Sequence, residues 1–303
     1  MMKKEIGIVG LGKMGANMAR HMMEKGWRVV GNNRTPETAE EMRKEGLIPA
    51  PTYAAMVAEL SAPRVIWLLV PAGAPVEETL FGEGDFADLL SPGDIVIDGG
   101  NSFFKDAKPR AEKLKAKGIR FMDVGTSGGP AGARNGACLM VGGERETFTE
   151  IEPLFKDFAK EDAYQFFDGH GAGHFVKMVH NGIEYGMMQS IAEGFELLKK
   201  SDYALDLERV ANVYDNGSVI ESRLVGWLKD AYEQYGQDLS DISSTVAHTG
   251  EGEWTAQTAK EMGIDVHSIE HAFRFRVDSE KNPRYAGKVV SALRGQFGGH
   301  SVK

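Results

Sequence analysis

The chain has 303 residues, 42% of them hydrophobic, which is enough to bury a sizeable core and to form two domains. Its 44 acidic residues against 35 Lys and Arg leave a formal net charge of -9, and no basic block offsets it, which excludes nucleic acid as a general partner. A single cysteine, Cys138, excludes an internal disulfide, and Met-Met-Lys-Lys-Glu runs into a short strand rather than a long apolar segment; a cytoplasmic protein with no signal peptide and no membrane span is expected.

Ile6 to Val9 reads as a strand that enters Gly10-Leu11-Gly12-Lys13-Met14-Gly15, followed by a helix over 13–25 and a second strand from Trp27 to Gly31. A G-x-G-x-x-G between strand and helix inside a βαβ unit is the setting of a dinucleotide fingerprint. The glycines permit a tight turn and a close approach of backbone to pyrophosphate, and the helix N-terminus faces the negative charge. All six residues from Gly10 to Gly15 are therefore candidate cofactor contacts. The second strand ends in Asn32-Asn33-Arg34-Thr35-Pro36, with no acid before Glu37 to accept from a ribose hydroxyl. Arg34 offers a planar fork suited to a 2′-phosphate. Asn33, Arg34 and Thr35 are read as cofactor residues and NADP is favoured, with NAD as the second choice. Thr35-Pro36 also reads as an N-cap followed by proline at N1.

Three further strands follow, Arg64–Val70, Asp94–Asp98 and Ile119–Val124. Ligands bind at strand C-termini in open α/β sheets. Val70, Pro71 and Ala72 are accordingly assigned to the cofactor. Asn101 and the Ser127-Gly128-Gly129 turn are assigned to the nicotinamide and the substrate, although such residues serve any turn. Past Gly169 the pattern becomes helical, over 172–200, 206–216, 219–235, 251–263, 265–279 and 283–295. The fold class is thus an α/β N-terminal Rossmann-type doubly wound sheet, residues 1–169, followed by an all-α C-terminal domain, residues 170–303.

The first of these helices carries the densest chemistry. Lys177, Asn181 and Glu184 stand at i, i+4 and i+7, with His180 at i+3 and Tyr185 at i+8. An amine and a carboxyl group two turns apart can act as base and acid on different atoms of one small substrate. A surface helix with scattered charges is the plainer reading. Against it, these polar residues interrupt an apolar run preceded by Gly171 and Gly173. His170 and His174 lack a third ligand and are read as structural, with no metal site. Gly250-Glu251-Gly252-Glu253-Trp254-Thr255 is a glycine-rich turn into a helix, and Arg294 to His300 reads as a flexible tail.

Taken together, these segments resemble the 6-phosphogluconate dehydrogenases (decarboxylating), in a short form with one helical domain. Gly10–Gly15, Asn33-Arg34-Thr35, Ser127–Gly129 and Gly173-His-Phe-Val-Lys177-Met-Val-His180-Asn181-Gly-Ile-Glu184-Tyr185 look like the family's successive motifs, and Arg294-x-x-Phe-Gly-x-His300 like its C-terminal signature. Related β-hydroxyacid dehydrogenases, such as the 3-hydroxyisobutyrate type, share the first motif, the Ser-Gly-Gly turn and the lysine but typically lack the rest. The resemblance implies Lys177 as general base at the 3-hydroxyl and Glu184 as the acid that protonates the enediol. Asn101, Ser127, Gly128, Gly129, His180 and Asn181 would hold the carboxylate and hydroxyls, and Tyr185, Arg276, Arg294 and His300 the phosphate. It further implies a phosphorylated sugar acid as substrate and a homo-oligomer, dimer or tetramer, in which the tail completes a neighbour's pocket. One position departs: Glu253 stands where the family usually has Lys or Arg, and it is expected to point elsewhere or to pair with an arginine. Two other readings are a dehydrogenase of an unphosphorylated β-hydroxy acid and a non-catalytic NADP-binding regulator. The latter would expect a broken Lys177/Glu184 pair, and the pair is intact.

Overall fold

The computed structural model describes residues 3–248, 250–299 and 302. It divides into two compact units, Met1–Lys177 and Met178–Lys303.

The first unit is built on eight strands: β1 (Glu5–Val9), β2 (Arg28–Asn32), β3 (Ile48–Pro49), β4 (Val65–Leu68), β5 (Ile95–Asp98), β6 (Arg120–Ser127), β7 (Ala137–Gly143) and β8 (Ala159–Asp168). They form one sheet in the order β3-β2-β1-β4-β5-β6-β7-β8. Every pairing is parallel except β6 with β7. The connections between the strands carry α1 (Lys13–Glu24), α2 (Pro36–Met42), α3 (Tyr53–Glu59), α4 (Ala74–Phe81), α5 (Phe86–Leu89), α6 (Phe104–Lys115), α7 (Gly129–Asn135) and α8 (Arg145–Phe158).

Continuous apolar strands arise because both faces of the sheet are covered. Ile6, Ile8, Val65, Trp67, Ile95 and Ile97 point into one core, and Val9, Ile66, Leu68 and Val96 into the other. This is the period of two that alternating Cβ directions impose. The strand order reverses at β1, between β2 and β4, which creates the crevice where such sheets take a ligand.

The doubly wound sheet expected from the sequence is present, with four differences. β6 runs on to Ser127, and β3, β7 and β8 are strands that the sequence did not lead us to expect. β8 opens with Lys160, Glu161 and Asp162, all exposed, and Asp162 adopts φ +56°. Its pairing with β7 shifts register between Ala137 and Leu139. An edge strand with an irregular start is held by its neighbour rather than by an alternating pattern.

The helix α9 (Ala172–Lys199) begins in the first unit and continues from Met178 in the second. The second unit adds α10 (Leu207–Tyr214), α11 (Arg223–Tyr235), α12 (Glu251–Glu261), α13 (His267–Asp278) and α14 (Tyr285–Gly298). Met188, Ala192 and Phe195 of α9, Leu224 and Leu228 of α11, and Val289, Val290 and Leu293 of α14 share its core. Two expected boundaries move. α11 starts four residues later than read, because Ser222 caps it by accepting from the Val225 amide at 3.3 Å, and Val219 and Ile220 lie exposed before it. α14 extends past 295, so Arg294 is a buried helical residue rather than part of a loose tail. Val289, Val290, Leu293 and Phe297 recur at helical spacing, and Phe297 packs 5.4 Å from Trp227, ring centre to ring centre. No described helix is long and apolar enough to cross a membrane.

Candidate active site

The glycine loop has a distinct physical reason at each of its three glycines. Gly10 takes φ +93°, and a Cβ there would come within 2.4 Å of the Leu69 carbonyl oxygen. Gly12 faces open space and is the N-cap of α1, where no side chain caps the helix. A Cβ on Gly15 would lie 1.8 Å from the Gly10 oxygen, so α1 packs onto the loop only with glycine there. Turn, open approach and close helix packing are the three things a pyrophosphate cradle needs, and the N-terminus of α1 would face the phosphates of a bound dinucleotide. The residues fit a dinucleotide.

Asn33 is committed to the scaffold. Its side-chain oxygen accepts from the Leu11 amide at 2.9 Å and its amide donates to the Thr35 carbonyl at 3.1 Å, tying the glycine loop to the end of β2. Arg34 beside it is exposed. Thr35 stands at the N-cap of α2 with Pro36 at N1, but its side chain makes no capping bond. Val70, Pro71 and Ala72 follow β4, Asn101 follows β5, and Ser127, Gly128 and Gly129 close β6, so these lie at the C-terminal ends of three adjacent strands. Gly128 (φ +113°) and Gly129 (φ +60°) turn the chain into α7 in a conformation that a side chain would strain.

Two residues of β6 that sequence reasoning passed over set the start of α9. Asp123, fully buried, accepts from the Gly171 amide at 2.7 Å and the His174 amide at 2.9 Å. It thereby satisfies two of the donors a helix N-terminus leaves over. A Cβ on Gly125 would lie 2.2 Å from the Lys177 Cβ, so the lysine rests directly on the strand backbone. The signal for Asp123 was present, a carboxylate inside the apolar run Phe121-Met122-Asp123-Val124. His170 is held below the usual imidazole range, chiefly by burial, with Asp123 opposing.

Further along α9 the polar face forms a connected set. Asn181 donates to Glu251 Oε1 at 3.2 Å, which turns its carbonyl oxygen toward His180 Nδ1 at 3.0 Å. The same nitrogen lies 3.9 Å from Glu184 Oε2. Glu251, a buried carboxylate in the first turn of α12, was not singled out from the sequence. Glu253, two residues on, is exposed, as expected of an acid that points elsewhere. Tyr185 is buried with the Arg276 guanidinium 3.3 Å from its ring centre, and a Cβ on Gly252 would come within 2.4 Å of the ring. Burial pulls the Arg276 guanidinium down to about 10, with Tyr185 opposing and Arg294 adding to the fall. Arg294, also buried, is lowered by the same cause, opposed by Tyr185, Glu251 and Glu184 of its own chain. Arg276, Arg294 and Tyr185 thus come together within the second unit, while His300 lies outside the described residues. Two desolvated guanidinium groups beside one phenol have the chemistry to receive a doubly charged anion, which would return what burial removed. Lys177 and Glu184, seven residues apart, are separated by about 10 Å along the helix axis.

Residues 5–171 match the model of the NAD binding domain of 6-phosphogluconate dehydrogenase, and residues 173–297 that of the 6-phosphogluconate dehydrogenase C-terminal domain. The NAD(+)-dependent, decarboxylating 6-phosphogluconate dehydrogenase of Haloferax volcanii is 40% identical over 299 residues, covering 98% of each chain. The decarboxylating 6-phosphogluconate dehydrogenase of Escherichia coli K12 is 36% identical over 320 residues, covering all of this chain and 68% of that one. Among solved structures, the 6-phosphogluconate dehydrogenase of Plasmodium falciparum superposes with a TM-score of 0.78 at 28% identity, over 95% of this chain and 70% of its own. With both halves matched and relatives aligned along its length, the chain belongs to the 6-phosphogluconate dehydrogenase family of nicotinamide-dependent oxidoreductases.

Proposed function

We propose that this chain oxidises and decarboxylates 6-phosphogluconate to ribulose 5-phosphate and CO₂ in the cytoplasm, with NADP as the preferred acceptor. The observation that carries the substrate assignment is the buried Arg276–Tyr185–Arg294 cluster, which begins one residue after Glu184. A β-hydroxy acid without a phosphate has no use for two desolvated guanidinium groups.

The bound nicotinamide supplies a hydride acceptor. Lys177, as the free amine, takes the 3-hydroxyl proton as the C3 hydrogen leaves with its electron pair, so C3 becomes a ketone. The carboxylate β to that ketone then departs as CO₂, and the bonding electrons pass to the ketone oxygen, which recovers a proton from the Lys177 ammonium. Glu184 delivers a proton to the carbon that has lost CO₂, carbon 1 of the product. Asn101, the Ser127–Gly129 turn, His180 and Asn181 are assigned to the carboxylate and hydroxyls, and Tyr185, Arg276, Arg294 and His300 to the phosphate. Residues 1–169 serve the cofactor and 170–303 the substrate and the oligomer. Exposed Leu197, Tyr203, Val213 and Val219 support a homo-oligomer.

For the cofactor, the exposed Arg34 and the lack of an acid from Asn32 to Pro36 favour a 2′-phosphate. The Haloferax volcanii relative is named as NAD(+)-dependent, so NAD is the second candidate. Absorbance at the reduced-nicotinamide band, followed with 6-phosphogluconate, gluconate and 3-hydroxyisobutyrate and each cofactor in turn, tests the proposal. Turnover with CO₂ release should require the phosphorylated acid and favour NADP. Equal turnover of an unphosphorylated acid without CO₂ would replace this reading with the second one.

A further inference from the structure

We infer that Arg110 is a positioning residue that locks together the two strand-end loops on the nicotinamide side of the cofactor crevice. Arg110 lies in α6, and its side chain is 1% exposed. It makes charge-assisted contacts in three directions. Nη1 donates to Asp98 Oδ2 at 3.0 Å, Nε to Glu77 Oε1 at 2.7 Å, and Nη2 reaches Asp106 Oδ2 at 3.5 Å. Asp98, fully buried, is the last residue of β5, and its other oxygen accepts from the Gly100 amide at 3.2 Å. Glu77 sits in the first turn of α4, directly after Val70-Pro71-Ala72 and the Gly73 cap. One guanidinium therefore fastens the loop leading to Asn101 and the helix that ends the Val70–Ala72 loop.

The two loops also touch each other. The Gly99 amide donates to the Leu68 carbonyl at 2.9 Å, and a Cβ on Gly100 would meet the Val70 oxygen at 2.8 Å. Neither loop can shift without the other, and Arg110 is the only cation that reaches both carboxylates among the described ion pairs. Lysine cannot replace it, because a point charge lacks the planar fork that meets Asp98 and Glu77 at once. A buried pair of this kind gives little net stability over an apolar isostere and is better understood as a register device. In a doubly wound sheet the halves on either side of the switch point serve the two ends of a dinucleotide. β2, with Arg34, lies on one side of β1; β4 and β5, with the Arg110 loops, lie on the other.

The inference rests on the proposed cofactor-binding loops but not on the substrate, so its test reads binding first. Dissociation constants are measured by calorimetry for NADP and for 2′-phospho-ADP-ribose, which lacks the nicotinamide, on wild type, Arg110→Lys and Glu77→Gln. The fragment should bind all three proteins within about twofold, while NADP should lose on the order of tenfold in Arg110→Lys and threefold or more in Glu77→Gln. At saturating NADP, kcat in Arg110→Lys should fall more than the KM for 6-phosphogluconate rises, because a misaligned acceptor slows the chemical step. Glu77 is partly exposed, and its variant keeps the Arg110–Asp98 pair, so it reports even if Arg110→Lys fails to fold. Parallel losses for fragment and NADP, or an unchanged NADP-to-fragment ratio in Glu77→Gln, would overturn the inference. An enzyme inactive on 6-phosphogluconate that still shows the split ratio would refute the substrate proposal alone.

Discussion

Gly125 lacks a side chain because Lys177 occupies that space. An alanine there would put its Cβ 2.2 Å from the lysine Cβ, against strand backbone that cannot yield. The start of α9, held by Asp123, would have to lift and carry the amine away from the hydroxyl it is proposed to deprotonate. Gly125→Ala is expected to lower kcat on the order of 10²-fold, the cost of roughly 1 Å of misplacement. Lys177→Met should lower it by at least roughly 10²–10⁴-fold, the contribution of a positioned acid or base. Titration with NADP should give affinities within a few-fold of wild type for both. A Gly125→Ala enzyme with kcat within twofold of wild type would show that this contact does not set the lysine.

At the scale of elements, α14 contributes packing and, in the proposed function, a phosphate contact, and the two can be separated. Leu293 is in the core, Phe297 packs on Trp227, and beyond the helix the Val302 carbonyl accepts from the Ser243 amide at 2.8 Å. Removal of residues 294–303 takes away part of that packing along with the guanidinium. The truncated protein should melt several degrees lower, since about 1 kcal/mol shifts Tm by roughly 2–4 °C in a chain of this size class. Arg294→Met keeps the apolar stem and removes the charge, so it should retain the wild-type Tm while raising the KM for 6-phosphogluconate strongly. Calorimetric melts paired with substrate titrations check both. An unchanged KM in Arg294→Met would take Arg294 out of phosphate binding.

For the whole molecule, stability is governed on the acid side by carboxylates that must stay ionised. Burial alone would raise Glu196, but Arg284 at 2.6 Å and Lys200 at 2.9 Å outweigh it and hold the group below its ordinary 4.5. Asp157 is held down in the same way, with burial opposed by Lys4 and the Trp27 indole. A depressed carboxylate contributes stability that is present above its unfolded value and lost as pH falls through its folded one. Asp85 has the opposite sign. Burial, aided by Asp88, pushes it up to about 6, so its penalty is full above that pH and fades toward 3.8. Tm should therefore fall between about pH 5 and pH 3 as the depressed groups protonate. Glu196→Gln should flatten that fall and cost about 1–3 kcal/mol at pH 7, where it leaves two cations without their charged partner. A wild-type Tm that is flat from pH 5 to pH 3 would contradict this account.

What was legible in the sequence was local. The β1–Gly10-x-Gly12-x-x-Gly15–α1 unit and the Lys177/Asn181/Glu184 face follow from strand and helix periods acting over a few residues, and the structure contains β1, α1 and α9 within a residue or two of their expected bounds. Arg276 entered only through the resemblance, and Arg294 stood out only as part of a tail, since no spacing relates either to Tyr185. β8 escaped because an irregular edge strand is defined by its neighbour, not by its own alternation, and β7 because residues 137–141 are a short apolar run that periodicity alone does not assign. Asp123 under α9, Gly125 against Lys177, Glu251 on Asn181 and Arg110 between two loops were decided by tertiary structure alone. These partners, or the loops they join, are tens of residues apart. Only the closing of the chain, which no local pattern encodes, tells a buried carboxylate or guanidinium which group it will meet.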